Sequence, residues 1–199
     1  MQVANEPYEI RELTPDVFAE VKSYCDEDVG TGYYSISDLQ RIYQNSLQGG
    51  MNTSFVAFSK EEEVIGVFFN LCGREWVDNQ KGLTVQNWYV DLDDALYCDA
   101  VFIKKPYRRL GVGHSFFRRL LPVMAHLKYR AIAGHVCANS PENPLYPSFE
   151  KRGFQEVKTH DGFWQDRDYD CSYCEDTCEC AGIEMVFYAG TESKWVNNA

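Results

Sequence analysis

The stretch VFIKKPYRRLGVGHSFFRRL, Val101–Leu120, decides how the rest of the chain is read. It opens with β-branched and aromatic residues, as a strand does, and from Gly113 onward Phe116, Phe117 and Leu120 recur at helical spacing. Between the two lies Arg108-x-x-Gly111-x-Gly113, a turn from strand into helix. Such a turn aims unbonded backbone N–H groups and the positive end of the helix dipole at one point, which attracts phosphate. Glycine admits close ligand approach, and Arg108 and Arg109 can add charge-assisted hydrogen bonds. From these residues alone, a phosphate cradle and a plain strand-to-helix turn both stand. The G-K-[ST] of a P-loop is absent, as is a G-x-G-x-x-G dinucleotide fingerprint followed by an acidic strand end.

Outward from this turn, strands and helices interleave. YEIREL from Tyr8 alternates like a strand, and Thr14-Pro15 offers a helix start for DVFAEVKSYC. An acidic, glycine-punctuated loop, DEDVGTGYYS from Asp26, leads to SISDLQRIYQNSL, a helix with Ser37 as its expected N-cap. TSFVAFSK and EVIGVFFNLCG read as a hairpin around a charged turn. In the connection Arg74–Asp94 there is room for a short strand over Leu83–Val90, and Trp76 and Trp88 are read as local packing. ALYCDAVFIKK forms the fourth main strand, and the helix after Gly113 continues past Pro122, which should bend it. YRAIAGHVCAN is a fifth strand, NPLYPSFEKRG a short helix closed by Gly153, and FQEVKTH and GIEMVFYAG are the last two strands. The predicted architecture is α/β, a mixed sheet flanked by helices. One domain over residues 1–199 is expected, with a Cys-rich insert at about 161–180 between the last two strands.

Composition narrows the function. The chain has 199 residues, 45% of them apolar, and a formal charge of -11. That field repels polyanions, so nucleic acid is not the expected partner, while a cationic amine is; a merely solubilising surface is the simpler alternative. No basic segment followed by an apolar core opens the chain, and no apolar run approaches the roughly 18 residues of a membrane span. A cytoplasmic protein with no membrane partner is expected, and a homodimer is compatible with the sequence. Eight cysteines then point to thiols or metal ligation rather than disulfides. Cys25, Cys72, Cys98 and Cys137 are scattered and read as core residues.

VFIKKPYRRLGVG resembles the acyl-CoA motif [Q/R]-x-x-G-x-[G/A] of the GCN5-related N-acetyltransferase (GNAT) family, and NPLYPSFEKRGFQEV resembles that family's second motif, a short helix turning through E-K-x-G-F into a strand. The two lie in the family's order, and the resemblance covers Tyr8 to about Tyr188. It implies a GNAT-like, mostly antiparallel sheet with helices on both faces. It further implies that the amides of Leu110, Gly111, Val112, Gly113 and His114 hold the pyrophosphate of acetyl-CoA, with Arg108 and Arg109 beside it. The strand around Phe102 and Ile103 would pair with the pantetheine arm, and Asn139, at the end of the fifth strand, would lie near the thioester.

Acyl transfer needs a neutral amine, oxyanion stabilisation and a proton for the leaving thiolate. By the resemblance, a carboxylate upstream on the fourth strand is the base, here Asp99; a strand-end hydrogen bond is the plainer role. The family's acid is a tyrosine where this chain has Phe149. Tyr146, three residues earlier, lies near the same helical face and is the substitute candidate, although Pro147 leaves the register open. Cys137 and His135 are read as packing residues.

CSYCEDTCEC places Cys171, Cys174, Cys178 and Cys180 within ten residues. Four thiolates can close a tetrahedral zinc shell, which makes structural zinc the expectation, with disulfides or free thiols as alternatives. Such a metal would staple a polar insert, because four sulfur ligands leave no position for a catalytic water. Together these readings predict an acetyl-CoA-dependent N-acyltransferase acting on a cationic primary amine: a polyamine, an aminoglycoside-like compound, or a protein lysine or N-terminus. A non-catalytic acyl-CoA-binding or interaction module is the rival reading, and a transferase controlled by a redox or zinc sensor is a third.

Overall fold

Seven strands rich in β-branched and aromatic residues pair into one sheet: β1 (Tyr8–Glu12), β2 (Phe55–Ser59), β3 (Val64–Leu71), β4 (Ala95–Ile103), β5 (Ala131–Cys137), β6 (Gln155–His160) and β7 (Gly182–Tyr188). The structure, a computed structural model, describes residues 7–73, 82–138, 145–166, 169–171, 174 and 178–190. The spatial order is β1-β2-β3-β4-β5-β7-β6, and every neighbouring pair is antiparallel except β4–β5. All eight residues of β3 are buried, as a strand covered on both faces must be.

Two helices cover each face. Val21 and Tyr24 of α1 (Phe18–Asp28) and Leu39 and Ile42 of α2 (Ile36–Asn45) pack with Val56, Phe69 and Tyr97. On the other face, α3 (Val112–Leu127) and α4 (Leu145–Lys151) pack Phe116, Phe117, Leu120 and Phe149 against Phe68, Leu96 and Phe187. Each such buried side chain contributes roughly 1.5–3 kcal/mol relative to exposure. α3 runs unbroken through Pro122. Among the described residues no helix is long and apolar enough to cross a membrane.

Three local expectations are corrected. The N-cap of α2 is Ser35, not Ser37. Ser35 Oγ accepts from the Asp38 amide at 3.1 Å while the Asp38 carboxylate accepts from the Ser35 amide at 3.0 Å, a reciprocal box whose negative charge also complements the helix dipole. That helix ends at Asn45, and a two-residue ladder, Leu47–Gln48 against Met51–Asn52, follows around Gly49-Gly50. Over Leu83–Val90 there is a 3-10 turn at Val85–Asn87 and no strand, because side chains hold this backbone. Fully buried Glu184 on β7 accepts from the Thr84 amide at 2.9 Å, the Thr84 hydroxyl, Trp88 Nε1 at 2.8 Å and His160 Nε2 at 3.1 Å. Trp88 is thus a packing residue with a paired N–H, and Trp76 lies outside the described residues.

Burial by itself raises the Glu184 pKa, but donation from Thr84, His160 and Trp88 outweighs it and holds the group below the ordinary 4.5. The stabilisation is therefore complete above the ordinary carboxylate range and is lost as pH falls through the lowered folded value. Glu184→Ala should cost about 3 kcal/mol or more in urea unfolding at neutral pH, because several buried donors lose their acceptor. Glu184→Gln should flatten the loss of stability below pH 4.5 that the wild type shows.

Candidate active site

β4 and β5 are paired only from Ala95↔Ala131 to Cys98↔Gly134. Beyond that point β4 stays with β3 as far as Ile103, and β5 stays with β7 as far as Cys137, so the two central strands part. A cleft of about 990 Å3 fills the gap, lined by residues 98–103 of β4, the start of α3, part of α4, and Trp164, Tyr169, Cys171 and Cys180 of the insert between β6 and β7. Alternate backbone groups of β4 face away from β3 and toward this gap.

One end of the cleft is basic. Arg109 has φ 66° and Gly111, the residue before α3, φ 93° and ψ -5°, both left-handed. A left-handed residue followed by a right-handed helix makes successive N–H groups converge, an anion nest at the positive helix end. Arg108 Nε donates to the Ile103 carbonyl at 2.8 Å, which ties the turn back to the end of β4, and both Arg108 and Arg109 line the cleft with Lys105 and Lys151. Phe102, Ile103, Val112, Gly113 and His114 line it as well. The Leu110 side chain is half exposed and does not line the cleft. Asn139 lies outside the described residues.

Arg152 was missed in the sequence. It follows α4 in the E-K-x-G-F turn, lines the same end of the cleft, and its Nη2 would lie 3.6 Å from a Cβ added at Gly113. Its Nη1 donates to the Ser148 carbonyl at 2.9 Å, and its guanidinium lies 5.4 Å from the Phe117 ring centre. Its Nε is buried with no partner among the described residues, and burial lowers its pKa. The signal was present as the one arginine in a motif read for its aromatic and glycine positions.

The other end is acidic and aromatic. The register slips between Phe69↔Ala100 and Asn70↔Cys98, which leaves Asp99 as the extra residue of a β-bulge. Its carboxylate lines the cleft and accepts the Tyr34 hydroxyl at 2.5 Å. His135, read as packing, lines the cleft too. Its Nε2 donates to the Gly82 carbonyl at 2.9 Å, so its Nδ1 accepts from the Tyr97 hydroxyl at 3.0 Å. Burial pushes its pKa down to about 4, so the imidazole is neutral at physiological pH. Cys137 is half-buried on the cleft wall rather than in the core.

The structure places Tyr146 away from the cleft lining. Its hydroxyl donates to Glu156 of β6 at 2.9 Å on the outside of the molecule, and it does not line the cleft. Pro147 and the burial of Phe149, stacked on Phe154 with ring centres 4.3 Å apart, fix the helix in that register.

The sulfurs of Cys171, Cys174, Cys178 and Cys180 all lie within 4.8 Å of one another, with Cys174 and Cys180 3.6 Å apart. Tetrahedral zinc with Zn–S near 2.3 Å has sulfur–sulfur edges of about 3.8 Å, so the donor set fits zinc in kind, number and spacing.

No family profile matches the chain, and no curated protein matches it in sequence. Solved structures do match in fold. Chaetomium thermophilum Naa20 in complex with a bisubstrate analogue superposes with TM-score 0.67 at 14% identity, covering 94% of this chain and 90% of that one. A Streptococcus pneumoniae acetyltransferase of the GNAT family gives 0.63 at 13%, covering 92% and 99%. Arabidopsis thaliana NAA60 in complex with acetyl-CoA gives 0.61 at 16%, covering 91% and 99%. The fold is that of the GNAT acetyltransferases. In the GNAT fold of this chain, the parting of β4 and β5 opens directly beside the nest at α3.

A Cβ at Gly113 would meet Ile103 Cδ1 at 3.4 Å and Arg152 Nη2 at 3.6 Å, ordinary contacts on the cleft wall. Gly113→Ala should therefore hold or raise the thermal midpoint, since alanine favours a helix by roughly 0.5–1 kcal/mol. The same substitution should weaken binding of inorganic pyrophosphate, measured by calorimetry, because the methyl group is added on the cleft wall within the turn that forms the nest.

Proposed function

We propose that this protein is an acetyl-CoA-dependent N-acetyltransferase that acetylates the primary amine of a cationic acceptor, a small-molecule amine or the amine of a peptide. The observation that carries the reading is a cleft along the edge of β4 that β5 leaves, lined by Lys105, Arg108, Arg109, Lys151 and Arg152, with Asp99 of the bulge where β4 and β5 part. The basic end and its nest suit the pyrophosphate of CoA, and the exposed edge of β4 suits the amide groups of the pantetheine arm.

The chemistry follows from that placement. The amine nitrogen attacks the thioester carbonyl, a C–N bond forms, and Asp99, directly or through one water, takes the proton the nitrogen must lose. Tyr34 holds the carboxylate in place through its hydroxyl. N–H groups of β4 that face the gap stabilise the oxyanion. The C–S bond then breaks, and CoA leaves as a thiolate. A thiol with pKa near 8.5 is a good enough leaving group near neutral pH that no tyrosine acid is obligatory. This accommodates both Phe149 in the core and Tyr146 outside the cleft. The zinc expected at the four cysteines is structural in this reading.

The same two observations favour the rival, a non-catalytic acyl-CoA-binding module, and turnover separates the two. CoA release should be measured across polyamines, aminoglycosides, lysine peptides and peptides with a free N-terminus. Asp99→Asn should lower turnover by about 10²-fold or more while acetyl-CoA still raises the thermal midpoint, and Tyr146→Phe should leave turnover unchanged. Acetyl-CoA binding without CoA release for any amine would sink the enzyme and leave the binding module.

A further inference from the structure

We propose that Cys171, Cys174, Cys178 and Cys180 hold a zinc ion that forms part of the amine-binding wall, so that metal occupancy sets acceptor affinity. The metal site stands on its own geometry, whereas the effect on the acceptor rests on the transferase reading above.

The insert does not stand away from the catalytic centre. Cys171 and Cys180, two of the four ligands, line the cleft. From the cluster a row of aromatic contacts runs to the proposed base. The Tyr169 hydroxyl donates to Cys178 Sγ at 3.4 Å, and its ring meets that of Tyr33 edge-on with centres 4.8 Å apart. Tyr33 packs edge-on against Tyr34 at 4.8 Å and against Phe102 of β4 at 6.1 Å. Tyr34 in turn donates to Asp99 at 2.5 Å. The backbones touch as well: the Asp170 amide reaches the Thr31 carbonyl at 3.4 Å, and a Cβ at Gly30 would lie 2.1 Å from the Asp170 carbonyl. The insert and the loop between α1 and α2 therefore form one wall.

Few apolar side chains hold the insert in that position. Apart from Phe163, Trp164 and Tyr169, the described residues between β6 and β7 are mostly polar or cysteine, so a metal has the task a core would otherwise perform. Zinc also changes the charge of the wall. Binding releases four thiol protons and leaves Zn²⁺ with four thiolates, a net charge of -2, on the cleft that Asp99 also lines and in favour of a cationic acceptor. The Tyr169 hydroxyl then donates to a thiolate rather than a thiol, an outer-shell bond of the kind that orients a ligand.

The test uses the full-length protein purified in reducing buffer. About one zinc per chain is expected by elemental analysis, and cobalt(II) exchange should give the intense visible bands and sulfur-to-metal charge transfer of a tetrahedral thiolate site, both weakened in Cys174→Ser. Substoichiometric metal together with no such cobalt spectrum overturns the site. Hydrogen exchange then tests the coupling without reference to activity: chelation should speed exchange in residues 29–33 as well as in 161–181. Acceleration confined to the insert overturns the coupling even if no acceptor is ever found. With an acceptor from the amine panel, stripping the metal should raise its KM about tenfold, leave the acetyl-CoA-induced rise in thermal midpoint intact, and be reversed by zinc. An unchanged acceptor KM overturns the proposal and leaves the transferase reading standing.

Discussion

The parting of β4 from β5 after the Cys98–Gly134 pair is the constraint on which the rest of the site depends. A sheet satisfies its backbone by pairing, and a strand edge in the interior without a partner is costly unless something else bonds to it. Here β4 keeps one edge on β3 and turns the other into a cleft, while β5 keeps its opposite edge on β7. Among the described residues the edge of β4 beyond Cys98 has no strand partner on the β5 side, a geometry suited to an extended chain that carries amide groups. The bulge at Asp99 lies immediately after the last β4–β5 pair, where extra twist and an unpaired residue are needed for the strands to diverge. A carboxylate is thereby delivered to the apex of the opening by the same irregularity that creates it.

The charge distribution follows the same geometry. A chain of net charge -11 gathers five basic residues, Lys105, Arg108, Arg109, Lys151 and Arg152, on the wall of one cleft. Such a concentration in an acidic protein is unfavourable for the empty fold, since Arg152 is already buried with its pKa lowered by desolvation. A polyphosphate ligand relieves that penalty by pairing the charges, which is why the basic end is read as a binding site rather than as surface decoration. In the proposed transferase, the acidic remainder of the molecule favours the opposite kind of ligand at the other end.

The fold was legible because its elements carry strong periodic signals: alternation in Tyr8–Glu12, an unbroken apolar run in Val64–Leu71, and a helical stripe through Phe116, Phe117 and Leu120. Gly111 and the arginines before it were legible for a local reason, since a turn from strand to helix fixes where its amides point. Tyr146 was not, because its direction depends on Phe149 entering the core and on a proline between them, and helix spacing alone could not choose between the two faces. The role of His135 was hidden in a similar way. Its ring is fixed by Tyr97 on the neighbouring strand and by the Gly82 carbonyl in a distant loop, partners more than 35 residues away in either case. The 3-10 turn at Val85–Asn87 was likewise set at long range, by Glu184.

The four cysteines show the opposite relation between sequence and structure. Their ten-residue span made a tetrahedral zinc shell the expectation, and the close approach of their sulfurs suits a short insert, because a loop with few buried apolar residues cannot offset the entropy of ordering a longer one. Within the proposal, a compact metal clip orders the insert at the least cost in chain entropy, and Tyr169 lies against Tyr33. From there the contact order Tyr33, Tyr34, Asp99 needs no further long-range packing, since Tyr33 and Tyr34 are adjacent in the chain and Asp99 is held by the bulge. The insert thus reaches the apex of the β4–β5 opening through Tyr169 of its own and the adjacent Tyr33 and Tyr34 of the α1–α2 loop, which together build a wall where the sheet itself supplies none.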